Sequence, residues 1–443
     1  MVTEQTIFYG IIIFMWMETI WGLYLSLRQR RIYKKAVEVP SELKEIVNKE
    51  TFDKARIYGL DRNNFSMVKE VIGGVSTTAL LMLDGLFYFW VLSGSMITSM
   101  NLEKGEILQS AAFILVMNTF NFIMSIPFNI YDVFVLEEKH GFNKQTMGFF
   151  IKDKIKGYIV THLIVLPLTC GIVWIVKVGG DYFFIYLWLF AILATLFLLT
   201  IYPDYIAPLF DKYTPLPDGE LKTRIEQLAA SIHFPLYKLY VVEGSKRSIH
   251  SNAYFYGFFK NKRIVLFDTL LKDYTPTNDK SKDKETKEED KKGCDNEEVL
   301  AVLGHELGHW KLNHMIKNII IMQINMFLLF VAFGFLFKYE VLYNAFGFYD
   351  EQPVLIGLTV VLQFIFSPYH ALLNFFTTSL SRRFEFQADA FAKGMGKALY
   401  LRRALIKLNQ DNLGFPVYDW LFSMWHHSHP PLLERLKALE KSD

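Results

Sequence analysis

Seven apolar stretches, each long enough to cross a lipid bilayer as a helix, constrain this sequence more than any other feature. A hydrocarbon core about 30 Å thick takes about 20 residues at the 1.5 Å rise of an α-helix. Composition agrees, since 52% of the residues are hydrophobic and only 21% are charged. The sequence therefore predicts a mainly α-helical, polytopic membrane protein. The predicted spans are 7–27, 73–96, 107–130, 158–178, 182–202, 315–337 and 354–379.

The distribution of Lys and Arg among the predicted loops indicates the orientation of the chain. Loops rich in these residues alternate with loops that hold a single Lys or none. Because basic loops are retained in the cytosol, we expect the N-terminus to face the lumen or the exterior. A net charge of +2 gives no indication of nucleic-acid binding. The basic segments are 28–72, 136–156, 203–313 and the tail after 380.

This topology divides the chain into four predicted parts. Residues 1–202 hold spans one to five, with 28–72 and 136–156 as cytosolic loops. Spans six and seven follow a small cytosolic α+β module, and a cytosolic helical tail ends the chain. The last three parts are 203–314, 315–380 and 381–443.

Inside the cytosolic module, strand-like and charged segments follow one another. The β-rich stretches "KLYVVEG" and "KRIVLFD" bracket "SNAYFYGFFKN" (251–261), which indicates a hairpin-like pair. The segment from about 274 to 294 is almost entirely charged or polar, which predicts a disordered loop. Cys294, at the end of that loop, is expected to be an exposed thiol.

The pentapeptide "HELGH" carries the clearest chemical signal. On a helix His305 and His309 share one face and can bind one Zn²⁺, and Glu306 beside them can accept a proton from water. Asp295 or Asn296 offers a helix N-cap. The helical pattern continues past the motif, so we expect one helix to carry both the motif and the sixth span. A five-residue pattern also arises by chance, so the remaining ligands decide its meaning.

A catalytic zinc needs a third protein ligand and an open coordination position. A third His ten positions after the first is excluded, because Met315 stands there. The stretch "SRRFEFQADAFAKG" supplies Glu385 as a candidate ligand, and Asp389 can accept the free N–H of a ligating imidazole. Taken alone, these acids could equally be a solvated helix face. His429 is a candidate for stabilising an oxyanion, the alternative being a turn residue before two prolines.

Six stretches together resemble the type I CaaX prenyl proteases, which are integral-membrane zinc metalloproteases of the gluzincin type. The resemblance extends over nearly the whole chain, and the family includes the yeast a-factor-processing and animal prelamin A-processing enzymes. It implies seven transmembrane helices in a barrel around a large intramembrane chamber, with the zinc near the cytosolic end. The stretches are "HELGHW", "SRRFEFQADAFA", "HSNAYFYGF", "EEKHGFNKQT", "IYPDYIAPLFDKYTPLP" and "SMWHHSHPPLLERL".

The resemblance also implies roles for individual residues. The implied zinc ligands are His305, His309 and Glu385, and the implied general base is Glu306. Further residues would support the ligands, stabilise the oxyanion or hold the substrate strand. They are, in that order, Asp389 with Arg435, His429, and Asn252 with Ala253 and Tyr254.

The activity implied by the resemblance is removal of the aaX tripeptide from prenylated CaaX proteins, with a second N-terminal cleavage of some substrates. The expected state is a monomer with one Zn²⁺ in the endoplasmic reticulum membrane, or alternatively the inner nuclear membrane. A prenyl chain keeps its protein near the bilayer, because each buried CH₂ contributes about 0.8 kcal/mol. A zinc helix adjoining a span suits such a substrate.

Two other functions remain open at this point. The first is a general membrane quality-control metalloprotease with no requirement for a prenyl group. The second is a transporter or scaffold in which zinc has only a structural role. A closed four-ligand site would favour the structural role, whereas the sequence offers three ligands and a candidate base.

Overall fold

The computed structural model describes residues 3–103, 105–248, 250, 252–257, 262–272, 274 and 292–440, most of which are helical. A bent pair of helices, Val354–Ile365 and Ser367–Gly394, raises the number of possible membrane spans from six to seven. All seven predicted spans therefore fall on helices. The six long apolar helices among the described residues are Glu4–Lys35, Lys49–Met82, Glu106–Glu137, Met147–Val178, Gly180–Phe210 and His314–Leu336.

The elements are labelled in chain order. The N-terminal part contains α1 Glu4–Lys35, α2 Lys49–Met82, α3 Gly85–Ser99, α4 Glu106–Tyr131, α5 Met147–Val178, α6 Phe183–Ile201 and α7 Ala207–Phe210. The module contains β1 Tyr213–Pro215, α8 Glu220–Ser231, β2 Leu236–Val242, β3 Ala253–Tyr256, β4 Lys262–Phe267 and α9 Asn296–Lys311. The remainder contains α10 His314–Leu336, α11 Glu340–Asn344, α12 Val354–Leu358, α13 Ser367–Gly394, α14 Ala398–Asp411, α15 Trp420–His426 and α16 Leu432–Glu440.

The membrane helices close into a ring. Each helix from α2 to α6 packs against the one before it, α6 packs against α10, and α13 packs against α1. The π-helical segment Thr359–Ile365 contacts both α10 and α13 and so completes the circle. Few residues are buried in the most apolar 18-residue stretch of three spans, only 6% in each, which fits a hollow barrel better than a packed bundle. These spans are Lys49–Met82, Glu106–Glu137 and Gly180–Phe210. The predicted helical-barrel fold is confirmed.

Large apolar side chains cover the surface of this ring. Leu163 on α5 is 71% exposed and Phe335 on α10 is 73% exposed. A surface of this kind is unfavourable in water and favourable against lipid. The chain is therefore a multi-pass membrane protein.

The second predicted span, 73–96, is wrong as a single helix. α2 ends at Met82 and α3 begins at Gly85, because Asp84 lies in the left-handed region with φ 50°. Asp and Asn enter this region more easily than other non-glycine residues. The apolar pattern therefore runs across a break that it does not reveal.

The expectation of one continuous helix through "HELGH" into the sixth span is also wrong. α9 ends at Lys311, Asn313 has φ 57°, and α10 begins at His314. The two helices also have different neighbours, since α9 packs against α13, α14 and α8 while α10 packs mainly against α6. One left-handed residue thus separates the motif helix from the membrane helix.

The module contains one four-stranded sheet in the order β1-β2-β4-β3. β1 and β2 are antiparallel, β2 and β4 are parallel, and β4 and β3 are antiparallel. "KLYVVEG" and "KRIVLFD" therefore pair directly but in parallel, so the antiparallel hairpin-like pair is β3 with β4. Buried side chains of β2, β4, α8 and α9 share one hydrophobic core. That core fixes the sheet against the motif helix.

The predicted disordered loop lies mostly outside the described residues, but its end does not. The Cys294 N–H donates to the Leu270 carbonyl at 2.7 Å, and the Lys272 N–H donates to the Cys294 carbonyl at 3.2 Å. Cys294 is only 2% exposed, and burial raises the pKa of its thiol to about 12. The expectation of an exposed thiol is wrong, because this residue completes the core beneath α9.

The break between α9 and α10 predicts how substitutions at position 313 affect stability. A β-branched residue in the left-handed region is strained by about 1–2 kcal/mol, so Asn313→Val should lower the free energy of unfolding by about that amount. Asn313→Gly should leave it unchanged or slightly raised, because the Asn313 side chain makes no capping hydrogen bond. Denaturation of the detergent-solubilised protein measures both values. Equal stability of the two variants would contradict the left-handed break.

Candidate metal centre

The helix that carries "HELGH" is held firmly at its start. The Asp295 side chain accepts a hydrogen bond from the Glu298 N–H, and the Glu298 side chain accepts one from the Asp295 N–H, both at 2.9 Å. This is a reciprocal capping box, and it satisfies two backbone donors at the helix N-terminus. Glu298 also accepts a charged hydrogen bond of 2.9 Å from Lys407 on α14. The start of α9 is therefore tied to its own backbone and to a neighbouring helix.

Three side chains from α9 and α13 bring their ligand atoms to one point. The Nε2 atoms of His305 and His309 lie 3.2 Å apart. Glu385 Oε2 lies 3.4 Å from His305 Nε2, and Glu385 Oε1 lies 3.2 Å from His309 Nε2. Around a tetrahedral zinc with bonds of about 2.0–2.1 Å, ligand atoms are separated by roughly 3.3–3.4 Å. The spacing and the donor set of two imidazoles and a carboxylate both fit such an ion.

Close packing of α9 on α13 makes this spacing possible. Gly308, inside the motif, faces α13 so closely that a Cβ at this position would lie 3.2 Å from Ala388 Cα and 3.1 Å from Phe391 Cδ1. Ala388 is fully buried. Small residues on both sides let the two helix backbones approach, and the short carboxylate arm of Glu385 can then reach the histidines.

One carboxylate oxygen at the centre lacks a well-aligned donor. Glu385 Oε2 is buried and has no hydrogen bond from the described residues. His429 Nδ1 lies 2.9 Å from it without hydrogen-bond alignment, and Arg435 Nη1, at 3.6 Å, is too far away to donate a hydrogen bond. An unsatisfied buried carboxylate oxygen costs about 1–3 kcal/mol or more. A cation bound between Glu385 and the histidines would satisfy it.

His305 is oriented by a carboxylate and an arginine behind it. Its Nδ1 lies 2.8 Å from Asp389 Oδ1, and Arg435 donates to both Asp389 oxygens at 2.8 and 2.6 Å. Burial opposes charge on His305, but the hydrogen bonds to Asp389 and Glu385 outweigh it and raise its pKa to about 9. The surroundings therefore favour positive charge at this point. The Asp389 contact also leaves Nε2 as the ligating nitrogen.

Glu306 lies beside the ligands on the wall of a cavity. The cavity has a volume of about 310 Å³, and its lining includes Glu306, His305, Glu385, Asn252 and His429. Burial raises the pKa of Glu306 above its ordinary value. A carboxylate with a raised pKa is a stronger proton acceptor, which suits a general base.

Of the three predicted substrate-binding residues, two line the cavity and one does not. Asn252 and Ala253 line the cavity, but Tyr254 does not, because its hydroxyl lies 3.2 Å from that of Tyr213. Adjacent residues of a strand point to opposite faces, which explains the division. β3 is the last strand of the sheet within the described residues. The Phe267 N–H donates to the Asn252 carbonyl, so the alternation of an antiparallel ladder turns the backbone of Tyr254 toward β4 and that of Phe255 toward the free edge, where a peptide can pair.

Two contributions to the site have no counterpart in the sequence reasoning. α14 and the turn after it supply Asn409, Asn412 and Gly414 to the cavity wall. His314 Nδ1 lies 2.9 Å from His309 Nδ1. A histidine five residues after another is not on the same helical face, so no periodicity signal could have found this contact.

Two family models together match almost the whole chain. Residues 29–212 match the model described as CAAX prenyl protease N-terminal, five membrane helices. Residues 215–443 match the model of peptidase family M48. The second match contains all the residues of the metal centre.

Individual relatives agree with the family models. The CAAX prenyl protease 1 homolog of Mus musculus is 55% identical over 457 residues, covering 99% of this chain and 96% of that protein. The homolog of Homo sapiens is 56% identical over 458 residues with the same coverage. The crystal structure of S. mikatae Ste24p has a TM-score of 0.86 and 35% identity, covering 97% of this chain and 98% of that chain.

Metal content of the purified protein tests the geometry of this centre. His309→Ala removes one of three ligands, so we expect its bound metal to fall to about one-tenth or less of the wild-type value under dialysis. Elemental analysis by mass spectrometry should find about one zinc per wild-type chain. His233→Ala is the matched control, because His233 is exposed and follows α8. Equal metal content in both variants would contradict the predicted ligand set.

Proposed function

Because the chain belongs to peptidase family M48, in its CAAX prenyl protease branch, we propose that it binds Zn²⁺ and removes the aaX tripeptide from prenylated CaaX proteins. The chain is a membrane-embedded metalloendopeptidase of the CaaX-processing family. The observation that carries the zinc proposal is the triangle formed by the ligand atoms of His305, His309 and Glu385, which lie 3.2–3.4 Å apart.

His305, His309 and Glu385 would hold the ion, and a bound Zn²⁺ would polarise the scissile carbonyl and lower the pKa of a water molecule. Glu306 then accepts the proton of the attacking water and delivers it to the leaving amine nitrogen. The His429 ring lies beside Glu385, and an N–H of this ring donates a hydrogen bond to the developing oxyanion. Arg435 and Asp389 keep His305 in the ligating tautomer.

We propose that the substrate peptide adds to the edge of β3. Asn252 and Ala253 belong both to the cavity wall and to the entrance of this strand. The Asn252 side-chain oxygen accepts a hydrogen bond from the Ala253 N–H at 2.8 Å, which fixes its amide near the cavity. Backbone pairing would hold the peptide in an extended form, independent of its side chains.

The position of the centre suits a lipid-bearing substrate. α9 joins the membrane helix α10 within three residues, and α13 is the second helix of the bent seventh span. A peptide that carries a prenyl chain stays at the bilayer surface, because each buried CH₂ contributes about 0.8 kcal/mol. The proposed location is the endoplasmic reticulum membrane, with the centre on the cytosolic side and the N-terminus in the lumen. A second N-terminal cleavage, the inner nuclear membrane and a monomeric state stay predictions.

Substitution of the proposed base separates chemistry from metal binding. Glu306→Gln keeps the size of the side chain but cannot accept the proton, so kcat/KM should fall about 10²- to 10⁴-fold. Metal content should stay at the wild-type value, because Glu306 is not one of the ligands. Cleavage of a farnesylated CaaX peptide is followed by mass spectrometry of the released tripeptide. Full activity in Glu306→Gln would remove it from the role of base.

The quality-control alternative differs in its need for the lipid. Matched peptides with and without a farnesyl group on the cysteine should differ at least about tenfold in kcat/KM, because the lipid concentrates the substrate at the membrane enzyme. The comparison is made in proteoliposomes, with a cysteine-methylated peptide as a control for thiol blocking. Equal cleavage of the peptides would favour a general membrane protease.

A further inference from the structure

We propose that His314 positions the ligand His309 and that Gln387 sets the direction of the hydrogen bonds between them. The inference rests on the proposed metal centre and concerns its affinity for the ion. His314 Nδ1 lies 2.9 Å from His309 Nδ1, and His314 Nε2 lies 3.0 Å from Gln387 Oε1. His314 thus connects one ligand to α13.

The number of protons on each imidazole fixes which atom donates in the His309–His314 and His314–Gln387 hydrogen bonds. If His309 Nε2 offers its lone pair to the ion, its proton must be on Nδ1. That N–H donates to His314 Nδ1, so the proton of neutral His314 is on Nε2 and donates to the Gln387 amide oxygen. The reverse direction would put a proton on His309 Nε2 and prevent ligation. Gln387, by presenting its oxygen, selects the ligating tautomer.

The two ligating histidines are therefore oriented by different chemistry. His305 donates to the carboxylate of Asp389, which carries a full negative charge. His309 donates to a neutral imidazole, which is a weaker acceptor. Outer hydrogen-bond partners of ligating histidines typically change metal affinity 10- to 100-fold. We expect loss of the His314 acceptor to change the metal affinity within that range.

Packing holds the His314 ring in place. His314 is 2% exposed, and its ring stacks on Phe384 with centroids 4.0 Å apart and an interplanar angle of 7°. Phe384 directly precedes the ligand Glu385 on α13. A ring fixed on one face by Phe384 and at one nitrogen by Gln387 has little freedom to leave His309.

The helix break at Asn313 creates this contact. In a continuous helix, residues five apart point to different faces and do not meet. The left-handed Asn313 turns the chain, so the first residue of α10 faces back toward the metal helix. One ligand is thereby connected to a membrane helix.

Metal affinity of the purified full-length protein tests the inference, measured by competition with a chromophoric zinc chelator. His314→Leu removes the acceptor, so the dissociation constant for zinc should rise about 10- to 100-fold. His314→Asn keeps an acceptor, because Asn Oδ1 takes the position of His Nδ1, and affinity should stay within about threefold of wild type. Gln387→Leu releases the far nitrogen and should give an intermediate loss.

The order of these variants separates positioning from space filling. If His314 only filled space beside Phe384, the apolar Leu would be tolerated better than the polar Asn. A positioning role predicts the opposite order. His162→Leu is the control, because His162 is also buried and hydrogen-bonded, at 2.7 Å to Tyr158 O, but lies on α5. It should leave zinc affinity unchanged.

The outcomes distinguish this inference from the proposed function. Failure of the wild-type protein to bind zinc would overturn the metal centre itself. Wild-type binding with unchanged affinity in His314→Leu, or with Leu better than Asn, would overturn the positioning role alone. If His314→Leu does not fold, His314→Asn and Gln387→Leu still decide, since wild-type affinity in Gln387→Leu contradicts the role given to its amide.

Discussion

The close contact of α9 with α13 is the constraint on which the site depends. Two of the ligands come from one helix and the third from a helix some eighty residues later, so their spacing is set by the distance between two backbones. Gly308 against Ala388 and Phe391 makes that distance short. A methyl group at position 308 would have to push the helices apart by a few tenths of an ångström, because its contacts would be 3.1–3.2 Å. Gly308 of the motif therefore serves the packing of the two helices, whereas its neighbours in the motif serve the chemistry.

The rest of the module keeps this pair of helices in register. The core shared by the sheet, α8 and α9 fixes one side of the motif helix. Lys407 of α14 pairs with Glu298 of α9, and Arg435 of α16 pairs with the buried Asp389 of α13, so both helices of the pair are joined to the C-terminal tail. The left-handed Asn313 then separates this rigid unit from the membrane helix α10 while keeping the two adjacent. A hydrolytic centre can in this way lie at the bilayer surface without being part of a spanning helix.

The features that sequence reasoning found are those with a local or periodic signal. The apolar runs are long enough to identify the spans, and the four-residue spacing of His305 and His309 indicates a shared helix face. Glu385 was found because it lies in a second stretch with helical pattern that carries acidic residues. The helix breaks at Asp84 and Asn313 were not predicted, because a single left-handed residue does not interrupt an apolar pattern. Two further features were not predicted, since both result from tertiary folding. They are the parallel pairing of β2 with β4 and the contact of His314 with His309.

The coordination of the ion is the most direct test of this account, and zinc K-edge X-ray absorption of the purified protein measures it. The account predicts about four nitrogen and oxygen neighbours at about 2.0–2.1 Å, with the outer scattering of two imidazole rings. A shell of six oxygens, a sulfur neighbour, or scattering from fewer than two imidazoles would contradict the ligand set of His305, His309 and Glu385.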